Sequence, residues 1–181
     1  LKEMAKMNKP DKIIIHHSAT QDGLVYKDFD SIRQAHLKQG YRDIGYHYVI
    51  ESVNNEYKII PGRPETETGA HTIGQNNNSI GICLVGNFME EEPPEAQIQT
   101  LIYLIKDIYN RYGKLPIYGH RDFNATSCPG DKFPMGKIKK LVEGDVSMFK
   151  DNNEISDWAK KHVDRVVEFG IMNGVGDNKF A

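Results

Sequence analysis

Cysteine is scarce in this chain, with two in 181 residues, Cys83 and Cys128. Two excludes a disulfide framework, although it leaves room for one bridge. It also excludes a structural zinc cluster of paired CxxC motifs, which closes four ligands around its ion. Cys83 lies inside an apolar run, the usual setting of a buried free thiol. Charge of one sign is lacking as well. The formal net charge is −2, and no Lys/Arg cluster is interleaved with aromatics, so nucleic acid is not an expected partner. No apolar stretch is long enough to span a bilayer, so no membrane span is expected. The first residues, Leu1 to Lys12, are polar and Lys-rich, unlike a secretory hydrophobic region. Repeats and low-complexity tracts are missing. What is present is a hydrophobic fraction of 39%, enough for one full core.

Short apolar runs and turn residues organise that core. Ile13-Ile14-Ile15 reads as a fully buried strand, too short for a helix and β-branched throughout. Apolar spacing predicts a helix from Phe29 to Gln39, stopped by Gly40. Two strands, Tyr46 to Ile50 and Tyr57 to Ile60, are joined by the turn pair Asn54-Asn55. Pro61 to Asn78 lacks periodicity and reads as a long ordered loop, where function tends to reside. Ile80 to Val85 is a second buried strand. Pro93-Pro94 introduces the strongest helix, with Leu101, Leu104, Ile105, Ile108 and Tyr112 on one stripe and Gly113 as its stop. A short strand from Leu115 to Tyr118 runs into His120, and Met135 to Val142 is a final helix. The expected class is α/β, a mixed central β-sheet flanked by helices, plus a short helical C-terminal segment.

The chemistry-bearing residues gather at strand ends. His16 and His17 follow the first strand, His120-Arg121-Asp122 follows a later one, and Ser127-Cys128-Pro129-Gly130 comes one short loop on. Two imidazoles and a thiolate make a zinc site with three ligands. Hydrolytic zinc needs that open fourth position, because water must occupy it. Neighbouring strand residues point to opposite faces, so His16 and His17 cannot both reach one ion, and parity alone leaves the choice open. Asp122 is suited either to anchor its loop or to orient an imidazole.

Six motifs extend the pattern: Ile15-His16-His17-Ser18-Ala19-Thr20, Gly45-Tyr46-His47-Tyr48, Gly69-Ala70-His71-Thr72, Asn78-Ser79-Ile80-Gly81-Ile82, Gly119-His120-Arg121-Asp122 and Cys128-Pro129-Gly130. In this order and spacing the chain resembles the type-2 N-acetylmuramoyl-L-alanine amidases, which include T-odd phage lysozymes and animal peptidoglycan recognition proteins. The resemblance covers residues 12–143 and implies the amidase/peptidoglycan-recognition fold. It also implies a zinc cofactor (Zn2+) held by His16, His120 and Cys128, which selects His16 over His17. Tyr46 matches a tyrosine beside the reacting water, and Thr126 a catalytic position held by lysine or threonine. His71 and Asn76 match positions lining the groove for the muramyl peptide; His47 and His36 also match but read as structural. Some relatives carry a glutamate, a candidate general base, where this chain has Cys83. Lacking that glutamate and the lysine, the chain resembles the animal branch more closely.

The resemblance therefore implies hydrolysis of the bond between N-acetylmuramic acid and L-alanine in bacterial peptidoglycan, as an endolysin or autolysin. A non-catalytic peptidoglycan-binding module is the rival; such relatives typically lack the cysteine ligand. Residues 146–181, with Asp157-Trp158-Ala159 and Gly170-Ile171-Met172-Asn173-Gly174, resemble the first half of an S-layer homology module, implying a secondary cell-wall polymer as a second partner. The expected layout is a tail over residues 1–11, a catalytic domain over 12–145 and this wall-binding segment over 146–181. Action at the cell wall is expected, reached by holin-type release or from a trimmed secreted form.

Overall fold

A computed structural model of the chain describes residues 9–21 and 28–143. The chain divides into two units, Leu1–Lys140 and Leu141–Ala181. The second falls almost wholly outside the described residues, and the expected tail motifs lie there.

The strands are β1 (Lys12–His17), β2 (Tyr48–Val53), β3 (Glu56–Pro61), β4 (Ser79–Leu84) and β5 (Ile117–Gly119). They form one sheet in the order β3-β2-β4-β1-β5. Only the β2–β3 hairpin is antiparallel, so the sheet is mixed. Its turn holds Asn54 and Asn55 at φ 53° and 64°, the left-handed pair that twists with a hairpin and that asparagine tolerates. The helices are α1 (Asp28–Lys38), α2 (Glu95–Tyr112) and α3 (Met135–Glu143).

Register explains why the isoleucine runs are buried on both faces. β1 and β4 pair in parallel with Ile14 opposite Gly81 and His16 opposite Cys83, and Cys83 is in turn opposite Val49 of β2. That face is covered in part by Phe29 and Ile32 of α1. The alternate residues Ile13, Ile15, Ile80, Ile82, Leu84 and Ile50 fill the other face and are fully buried. Alternation along each strand makes the division. α2 packs over β2 and β3 and buries Ile98, Leu101, Leu104, Ile105 and Ile108, each worth roughly 1.5–3 kcal/mol in apolar burial. Gly113, at φ 83°, ends α2 with its N–H on the Tyr109 carbonyl, a left-handed stop that suits glycine.

Two strand starts lie two residues later than expected. β2 starts at Tyr48, not Tyr46, because the preceding segment bends onto the 62–70 loop: Arg63 N–H donates to Tyr46 O and Ala70 N–H to Gly45 O, both at 2.9 Å. β5 starts at Ile117, after Pro116, which has no N–H for the ladder; the Pro116 carbonyl still accepts from Ile13 N–H at 3.0 Å.

Candidate active site

Two neighbouring strands and one loop assemble the site. β1 ends at His16 and His17, and β5 pairs with β1 so that Ile15 lies opposite Gly119. The next residue on each strand is a histidine, and the His16 and His120 rings sit 4.6 Å apart. His120 opens a single 3-10 turn, His120–Asp122, held by Asp122 Oδ2 accepting from Gly119 N–H at 2.9 Å. Of the two parts open to Asp122, it takes the loop anchor. Arg121 N–H donates to the Cys128 carbonyl at 2.9 Å, tying the third ligand segment to the second. The Cys128–Pro129 bond is cis, and Gly130 follows at φ 109°.

One ligand atom from each of His16, His120 and Cys128 lies within 4.8 Å of the others. His16 Nδ1 is 3.7 Å from Cys128 Sγ. A tetrahedral zinc with nitrogen at about 2.0 Å and sulfur at about 2.3 Å separates such a pair by about 3.5 Å, so these donors fit the ion. Both rings are also braced at their far nitrogens. His120 Nε2 is 3.0 Å from Asn124 Oδ1, and the Asn124 amide donates to the Phe123 carbonyl, which fixes its orientation. His16 Nε2 is 3.1 Å from His71 Nδ1. An acceptor behind each imidazole is the usual support of a metal-binding histidine. His17, by contrast, turns its Nδ1 to the Phe88 N–H at 3.2 Å; its backbone N–H points at Cys128 Sγ, 3.4 Å away.

Electrostatics sets the resting protonation. Burial, aided by the nearby His71 and His120, holds His16 well below the usual imidazole range, and His71 is lowered mainly by burial too. Burial pushes the Cys128 thiol up to about 11, partly offset by the His17 N–H and the charge of Arg121. Tyr46 lies just before β2, its ring 5.0 Å from that of His16. Burial, with the nearby Cys83 and Cys128, raises its phenol well above the ordinary value, so it remains a hydrogen-bond donor. Cys83, fully buried in the cluster against which Tyr46 packs, is itself raised by burial. Both cysteines are free.

The remaining expected residues are engaged inside the protein. Thr126 is exposed, and its Oγ1 accepts from Cys128 N–H at 3.2 Å, shaping the ligand loop. His71 keeps 8% of its surface, with its Nδ1 3.1 Å from His16 Nε2. Asn76 Oδ1 accepts from the N–H groups of His71 and Thr72, each at 2.8 Å. His47 and His36 hold the Tyr46 segment: His47 Nδ1 accepts from Gly81 N–H, and His36 Nδ1 accepts from Gly45 N–H. Sequence reasoning missed Asn124, whose cue was its place four residues after His120 in a polar loop, and gave no role to Thr72 and Ser79, although both lie in the quoted motifs.

Residues 6–131 match the family model described as N-acetylmuramoyl-L-alanine amidase, and residues 149–181 match the S-layer homology domain. Over 149 residues the chain is 30% identical to an endolysin of Enterobacteria phage K11, covering 79% of this chain and 96% of that protein. A peptidoglycan-recognition protein of Drosophila melanogaster is 35% identical over 128 residues, 65% of this chain and 67% of that one. Among solved structures, the N-acetylmuramoyl-L-alanine amidase LysC from Clostridium intestinale is similar with a TM-score of 0.66 at 32% identity, covering 76% of this chain and 87% of its own.

Proposed function

Because the chain belongs to the N-acetylmuramoyl-L-alanine amidase family, we propose that it cleaves the amide between N-acetylmuramic acid and L-alanine in bacterial peptidoglycan, with zinc held by His16, His120 and Cys128. Hydrolysis of a peptidoglycan amide follows from the family and its relatives. One observation carries the zinc reading: three donors converge within 4.8 Å, and the far nitrogen of each histidine is hydrogen-bonded away from them. When bound, zinc supplies Lewis acidity and a water acidified towards neutral pH.

The chain's own residues do the rest. The Tyr46 hydroxyl, kept protonated by burial, donates to the substrate carbonyl oxygen as negative charge builds there. One such donor is typically worth about 10²–10³ in rate. Thr126 Oγ1 accepts from Cys128 N–H, so its own proton remains available to orient substrate at the rim. Cys83 stays a thiol at neutral pH, since burial pushes it well above the usual range. It is therefore no general base, and its part is to pack beneath Tyr46. The match of residues 149–181 to the S-layer homology domain supports retention on the wall through a secondary polymer, alongside a catalytic domain over residues 12–145.

Zinc analysis combined with a turbidity assay on purified walls tests this function. The expected result is one zinc per chain and clearing that releases free amino groups without new reducing sugars. Cys128→Ser loses both zinc and clearing, because an alcohol replaces a thiolate poorly. New reducing sugars, or full activity in Cys128→Ser, would overturn it.

A further inference from the structure

The polar atoms behind His16 form a chain whose direction can be worked out. Ser79 Oγ donates to the Gln75 carbonyl at 2.7 Å. A carbonyl only accepts, so the hydroxyl's single proton is committed there. Toward His71 Nε2, 3.5 Å away, Ser79 offers only a lone pair, and that nitrogen carries the ring proton. His71 Nδ1 is then a bare acceptor, 3.1 Å from His16 Nε2. Thr72 Oγ1 lies 3.0 Å from that same Nδ1 and 3.3 Å from His16 Nε2. His16 Nε2 must be the donor, and its Nδ1, facing Cys128 Sγ, is left with a free lone pair.

We propose that His71, oriented by Ser79, is a positioning residue that locks His16 in the Nε2-protonated tautomer and so presents Nδ1 to the metal. The inference rests on the zinc reading of His16, His120 and Cys128. The seat of the His71 ring is built for this. A Cβ on Gly81 would lie 2.4 Å from His71 Cδ2, and one on Gly69 would lie 2.6 Å from the same atom. Gly81 lies in buried β4, where glycine weakens a strand and marks a close approach by another group. Asn76, accepting from two successive N–H groups, fixes the backbone that carries the ring. Asn124 does for His120 what His71 does for His16, so both histidine ligands are held by an acceptor.

The test measures zinc affinity of the full chain by competition with a chromophoric chelator, without reference to activity. His71→Leu keeps the bulk but removes the acceptor, and should weaken zinc binding by about 10–100-fold. His71→Asn returns an oxygen acceptor near the Nδ1 position and should recover most of that loss. Long-range proton–nitrogen spectra of the metal-free wild type should show His16 protonated at Nε2, a readout that needs no variant should His71→Leu fail to fold. Equal affinity in His71→Leu, equal weakness in the two variants, or His16 protonated at Nδ1 would each overturn the proposal. A wild type that binds no zinc defeats the zinc reading itself, and this inference with it. Tight wild-type binding with no His71 effect defeats the inference alone.

Discussion

At the proposed zinc site proton and metal would compete for the sulfur of Cys128, and the structure sets the terms. Burial pushes this thiol up to about 11, while zinc binds the thiolate, so loading the site must expel a proton. Below about 11 the metal-free group is protonated. Raising the pH removes that proton without help from zinc, so apparent affinity climbs with pH and levels off above 11. At pH 7 a gap of about four pH units, at 1.36 kcal/mol each, opposes binding by roughly 5 kcal/mol, or about 10⁴-fold. Between pH 8 and 10, where imidazoles are ordinarily neutral, the logarithm of the apparent association constant should rise by about one per pH unit. Chelator competition across this range gives the slope, and calorimetry in buffers of differing ionisation enthalpy counts the released proton. A flat profile, or zinc uptake at pH 8 with no proton release, would refute the assignment of Cys128 as a buried thiol ligand.

Four other perturbations separate catalysis, loop anchoring, core and wall binding. Tyr46→Phe should lower kcat and kcat/KM together by about 10²–10³ with zinc content unchanged; unaltered turnover removes Tyr46 from the mechanism. Asp122→Ala leaves the Gly119 N–H without its acceptor and should lower stability by about 0.5–1.5 kcal/mol in denaturant unfolding, whereas no loss would mean that Asp122 does not anchor the turn. Ile105→Ala, at a fully buried position of α2, should lose about 2–5 kcal/mol, measured the same way, and a loss under about 1 kcal/mol would contradict the packing described. Truncation after Glu143 should preserve cleavage of soluble peptidoglycan fragments while reducing co-sedimentation with walls; unchanged sedimentation would detach residues 149–181 from wall binding.

The parts of this protein legible in sequence are those where one residue type has one physical use. A triple isoleucine can only be a buried strand in a chain this size, and Asn54-Asn55 is a turn because asparagine tolerates positive φ. A candidate metal site was legible because a thiol and imidazoles at strand ends have few bland explanations, and the resemblance then singled out His16. The supports behind it were not. Asn124 and Ser79 are uncharged, ordinary loop and strand residues, and only the folded backbone brings them to the far nitrogens of His120 and His71. The internal hydrogen bonds of His71 and Asn76 were not legible, since periodicity is missing from 61–78 and gives no sign of which way a side chain points.

The choice between His16 and His17 shows where the site's precision originates. Neither imidazole differs from its neighbour chemically, and parity alone left the pair unresolved. Register decides it. β1 is pinned between β4 and β5 with Ile13 opposite Ile80 and Ile117, and Ile15 opposite Ile82 and Gly119. A slip of one residue would turn every side chain of β1 to the other face, bringing His17 toward His120 and lifting Ile13 and Ile15 out of the side they fill. That slip would also push the His16 imidazole into the fully buried apolar slot of Ile15, where a polar group left without a partner costs roughly 1–3 kcal/mol. The apolar slot that Ile15 fills thus determines which histidine meets Cys128.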